Sequence, residues 1–63
     1  MKFTNEGSVV MFTPEGDYEY EWLMLNTDSE PYQWLGNNLV VDHRMAEDLI
    51  ECVRSVGFVC TYE

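Results

Sequence analysis

Sixty-three residues with a formal net charge of −9 make one domain at most, and a strongly acidic one. A chain this short buries only about 60% of the surface its unfolded form exposes, so it needs a rich core, a disulfide, a metal or a partner to hold together. Twelve carboxylates against Lys2, Arg44 and Arg54 exclude direct binding of nucleic acid, which requires a basic stripe that releases counterions, and exclude an anionic membrane surface on the same ground.

The core has material to draw on. Trp22, Trp34, Phe3, Phe12, Phe58 and four tyrosines each bury a large area when packed, so the expectation is a chain that folds alone, as a monomer or a homodimer. Residues 1–7 are polar and do not read as a signal peptide, and no apolar run approaches the roughly 20 residues of a membrane helix. A cytoplasmic protein is expected. Cys52 and Cys60 are too few for a secreted disulfide framework.

Along the chain, residues 8–13 (SVVMFT) are β-branched and aromatic and predict a strand. Pro14-Glu15-Gly16-Asp17 carries turn chemistry, since proline presets one dihedral and glycine tolerates a positive φ. Residues 18–26 (YEYEWLMLN) alternate, which predicts a second strand with Tyr18, Tyr20, Trp22 and Met24 on one face and Glu19, Glu21, Leu23 and Leu25 on the other. The two strands would form a hairpin. Residues 27–31 (TDSEP) break the pattern, residues 32–35 suit a third short strand, and Gly36-Asn37-Asn38 turns again. Leu39-Val40-Val41 fits a strand or a lead-in to a helix.

The helix signal is the clearest. Asp42 suits an N-cap, where its side chain accepts from a first-turn amide. Met45, Leu49, Cys52, Val53 and Val56 recur at helical spacing, flanked by Ala46 and Ile50, while Glu47, Asp48 and Glu51 fall opposite. Gly57 stands where a C′ glycine ends a helix, and residues 58–62 (FVCTY) read as a last strand. The order β-β-(β)-α-β implies an α+β fold: a small antiparallel sheet of three to four strands with one amphipathic helix packed on one face.

Catalytic and metal chemistry find little purchase in this pattern. His43 is the single histidine and has no orienting partner or nucleophile in sequence reach, so it reads as a surface residue. Cys52 and Cys60 with His43 lack a fourth ligand for a tetrahedral site, and two buried thiols are the expectation. Glu19 and Glu21 would stand about 7 Å apart on a strand face, a carboxylate spacing a glycosidase could use, but so small a sheet offers no cleft for a sugar. No enzyme, metal or cofactor is expected.

What remains is surface. Tyr18, Glu19, Tyr20 and Glu21 interleave rings and carboxylates after Asp17; Asp28 and Glu30 continue the acid, and Glu47, Asp48 and Glu51 add a helical patch. Seven acids against one lysine in residues 1–31 is more bias than solubility requires. Carboxylates spread over a rigid scaffold can imitate the phosphates of a duplex, and their field would steer a basic protein onto them. These ten residues are the expected partner-binding set.

The segment Met24-Leu25-Asn26-Thr27-Asp28-Ser29-Glu30-Pro31-Tyr32-Gln33-Trp34 resembles the strand-and-loop segment of bacteriophage uracil-DNA glycosylase inhibitors, and Glu21-Trp22-Leu23-Met24-Leu25 resembles the first-strand motif of the same family. The resemblance covers about a sixth of the chain. It implies an acidic DNA mimic that enters the DNA groove of its target. This chain departs from that family in being shorter, in lacking the leading helix and in placing its helix late. The order of hairpin, helix, Gly-Phe and last strand is also similar to the small acidic phage inhibitor of bacterial RNA polymerase, and anti-CRISPR and anti-restriction proteins share the size and acidity. The implied function is a phage-encoded inhibitor, acting in the host cytoplasm on the basic surface of a nucleic-acid-acting enzyme such as uracil-DNA glycosylase, a CRISPR effector or a restriction enzyme. The alternatives are an inhibitor of RNA polymerase, an antitoxin-like module anchored by Tyr18, Tyr20 and Trp34, and a metal or redox protein on Cys52, Cys60 and His43.

Overall fold

The first hairpin forms one element earlier than the alternation suggests. In the computed structural model, which describes residues 1–63 apart from the side chain of Tyr32, β1 (Lys2–Asn5) pairs antiparallel with β2 (Val9–Thr13). The turn between them is closed by the Asn5 side chain, which accepts from the Gly7 amide at 2.9 Å, and Gly7 takes a φ of 90°. That left-handed conformation is costly for any residue with a Cβ.

Residues 18–26 are helical, not extended. α1 (Asp17–Asn26) starts at Gly16, whose φ is 93°. Asp17 and Glu19 lie in the first turn, where the helix dipole favours negative charge. The Glu19 carboxylate also reaches back to the Glu15 amide at 2.9 Å, satisfying a donor just ahead of the helix much as a capping box does. Glu, Leu and Met are strong helix formers, and these local preferences outweigh the alternation. The turn at residues 14–17 therefore leads into a helix, and the hairpin expected between residues 8–13 and 18–26 does not exist.

After α1, a 3-10 turn (Pro31–Gln33) leads into β3 (Trp34–Leu35), and Gly36, at φ 62°, turns the chain into β4 (Asn38–Asp42). The expected third strand is thus shorter than residues 32–35, and Leu39-Val40-Val41 is strand. β4 runs into α2 (His43–Ser55) with no intervening loop. Asp42 caps it by accepting from the Arg44 amide at 2.9 Å. The C-terminus is a Schellman closure: Phe58 N–H donates to the Val53 carbonyl at 3.2 Å and Gly57 N–H to the Arg54 carbonyl at 3.1 Å, with Gly57 at φ 98°. β5 is only Thr61–Tyr62 and lies parallel to β1.

The α+β class holds, with corrections. The sheet has five strands in the order β3-β4-β2-β1-β5, it is mixed rather than antiparallel, and there are two helices rather than one. Register explains the core. Phe3 opposes Phe12, Phe12 opposes Leu39, and Val10 opposes Val41, so their side chains share one face of the sheet. On that face Phe12 and Leu39 are fully buried and join one cluster with Leu23 of α1, Ala46 and Val53 of α2, Met1 and Cys60. Both helices therefore cover the same face. Among the described residues no helix is long and apolar enough to cross a membrane.

Candidate protein-binding surface

The two helices treat their acids differently. On α1, Asp17 and Glu21 are exposed and Tyr18 is 75% exposed. Glu19 turns inward: its side chain is 17% exposed, and its carboxylate lies 3.2 Å from the Met1 amino group, which also donates to the Val59 carbonyl at 2.9 Å. Tyr20 is withdrawn too. Its ring packs on Trp34 at 4.9 Å between centroids, and the Trp34 indole N–H donates to Ser29 Oγ at 2.9 Å. Two steps along a helix turn about 200°, so Glu19 and Glu21 lie on opposite faces and never form a carboxylate pair. Tyr20 and Trp34, expected as exposed anchors, brace the loop onto α1; Tyr18 stands out.

Glu47, Asp48 and Glu51 are exposed on α2, and Asp28 and Glu30 are exposed in the connecting loop, with Asp28 at φ 51°. Eight of the ten expected residues are thus surface groups, in three separate places: the outside of α1, the loop and α2. The cations do little to offset them. Arg44 is bound to Asp42 through Nε at 3.2 Å, and this pairing holds the Asp42 carboxyl below its usual range and raises the arginine. Arg54 donates to the Cys60 carbonyl at 2.8 and 3.2 Å. Of the lysine and arginine side chains, Lys2 alone stands exposed without such a bond among the described residues.

Helical spacing centres the apolar stripe of α2 too far round the helix. Ala46 and Val53 are buried and Leu49 and Ile50 half-buried, whereas Met45 is 66% and Val56 54% exposed, and Cys52 is exposed. The expectation of two core thiols therefore holds for Cys60 only. Burial pushes the Cys60 thiol up, against the opposing pull of Arg54 and the chain amino group. His43 is exposed, and among the described residues no three His, Cys, Asp or Glu side chains gather as a metal cage.

Met45, Leu49 and Cys52 form one wall of a groove of about 280 Å³, opposite Asn26, Thr27, Ser29 and Gln33, with Val41, Asp42 and Asp48 completing it. A shallower depression lies on α1 between Tyr18, Glu21, Trp22 and Leu25. Met45 and Cys52 were missed as surface because helical spacing finds an apolar stripe without saying which part of it meets the sheet; Leu25 was missed because residues 18–26 read as a strand.

No family model, curated protein or solved structure matches the chain.

Proposed function

We propose that the chain is a non-enzymatic binding protein whose acidic surface occupies the basic, nucleic-acid-binding surface of another protein, as a DNA-mimicking phage inhibitor does. One observation carries the reading: exposed carboxylates stand on α1, on the loop and on α2, against only three lysine and arginine side chains in the whole chain. Such a surface presents charge to a partner instead of neutralising it internally, and its field speeds encounter with a basic protein. The targets that fit are enzymes that grip nucleic acid with lysine and arginine: uracil-DNA glycosylase, a CRISPR effector or a restriction enzyme, with RNA polymerase as the alternative. The withdrawal of Tyr20 and Trp34 into a mutual edge-to-face contact removes two of the three anchors of an aromatic interaction module.

The test is direct binding to purified members of these classes across a salt series, with a DNA duplex as competitor. At least one should bind, lose affinity steeply as salt rises, and release the chain to DNA. A tight complex that ignores salt and leaves the nucleic-acid site working would sink the reading.

A further inference from the structure

The groove beside α2 differs from the rest of the acidic surface in having an apolar wall. Met45, Leu49 and Cys52 are spaced i, i+4, i+7, the spacing at which one helix presents a continuous ridge to another. The other side of the groove is formed by Asn26, Thr27, Ser29 and Gln33, from the segment that also carries the exposed Asp28 and Glu30, while α2 adds Asp48 and the end of β4 adds Asp42. Arg44 lies next to this wall in sequence but is held by Asp42. An apolar strip with Asp48 in its lining and Asp28 and Glu30 in the adjoining loop is complementary to one chemistry above others.

We infer that this groove docks a cationic amphipathic helix of the target, its apolar stripe against Met45, Leu49 and Cys52 and its lysines or arginines toward Asp48, Asp28 and Glu30. Long basic side chains suit such a site because their stems lie on apolar surface while their heads reach outward. A second copy of the chain is a poorer occupant, since it would bring another nine net negative charges to an acidic groove. The inference rests on the proposed reading of the chain as a binder of basic protein surfaces, and makes it specific.

The probe is a synthetic peptide of leucine and lysine at helical spacing, compared by fluorescence anisotropy with a scrambled peptide of identical composition. The patterned peptide should bind about tenfold more tightly, a difference of about 1.4 kcal/mol. Met45→Gln, at an exposed site, should remove most of that preference without changing the salt dependence; Asp48→Asn should reduce the salt dependence. The patterned peptide should also slow maleimide labelling of Cys52. Equal binding of both peptides would overturn the groove while leaving the acidic binder standing. Binding of neither, together with failure of the target panel, would remove both readings. Loss of the preference in Leu25→Gln but not in Met45→Gln would move the site to α1 and overturn the inference, as would a concentration-dependent dimer abolished by Met45→Gln.

Discussion

The two cysteines show how far a single residue can be read from spacing alone. Both are apolar in character and sit within apolar patterns, and both suggest the core. A step of about 100° around a helix separates residue 52 from residue 53, and the structure gives the buried position to Val53 and the exposed one to Cys52. Nothing local decides between them; the choice is made by where β2 and β4 meet α2. Cys60 is fixed differently. It follows the Schellman turn, is 3% exposed, and its carbonyl is held by Arg54. Reactivity follows the thiolate and its access. A maleimide added to the native protein should therefore modify the exposed Cys52, whereas Cys60 reacts only after unfolding by guanidinium. Mass spectrometry of the labelled protein reads this as one adduct natively and two when denatured. Two rapid adducts in buffer would mean that Cys60 is not in the core.

At the scale of elements, α2 was legible and α1 was not. Asp42 as N-cap and Gly57 as C′ residue are signals made by the chain's own neighbours, and both act in the structure as the sequence implies. Residues 18–26 carry two patterns at once. Their alternation fits a strand, while their glutamates, leucines and methionine fit a helix, and what decides is the cap at Gly16 and Glu19 together with a sheet already completed by β1, β4 and β5. β1 was missed because Lys2–Asn5 offers Phe3 as its single large apolar residue; pairing with β2 and β5 makes it a strand. The two readings of residues 18–26 separate cleanly by mutation. In a strand Leu23 and Leu25 share a face and should respond alike. In α1 Leu23 is fully buried and Leu25 is 83% exposed. Leu23→Lys buries an unpaired charge, a cost of several kcal/mol against the roughly 3–5 kcal/mol that so small a core supplies, and should abolish the cooperative melt. Leu25→Lys should change stability by no more than about 0.5 kcal/mol. Circular dichroism on the two variants checks it, and equal damage from both would refute the helix.

For the whole molecule, charge was plain from composition, while the groove was invisible because its walls come from the loop, the end of β4 and α2. Charge also sets how the fold responds to salt. Nine net negative charges occupy a body of 27 × 21 × 19 Å. The Debye length is about 30 Å at 0.01 M salt and about 10 Å at 0.1 M, so at the lower concentration every carboxylate feels the others across the entire molecule. Opposing this are the contacts of the chain amino group with Glu19 and Glu15, at 3.2 and 3.5 Å, and the exposed Asp42–Arg44 pair. The exposed pair contributes little and weakens with salt, which works in the other direction; the Met1–Glu19 contact, withdrawn from solvent, is screened much less and changes little along the series. Repulsion summed over nine uncompensated charges outweighs them. The melting temperature should therefore rise by several degrees between about 0.01 and 0.5 M sodium chloride, given that about 1 kcal/mol shifts a domain of this size by roughly 4–8 °C. Chloride is the salt to use, because sulfate would stabilise the fold by exclusion from its surface whatever the charge. A fall in melting temperature would show that the few ion pairs dominate the repulsion. A basic partner relieves the same repulsion that salt relieves, so the stabilisation it confers should be greatest at low ionic strength and shrink as the free protein becomes more stable on its own.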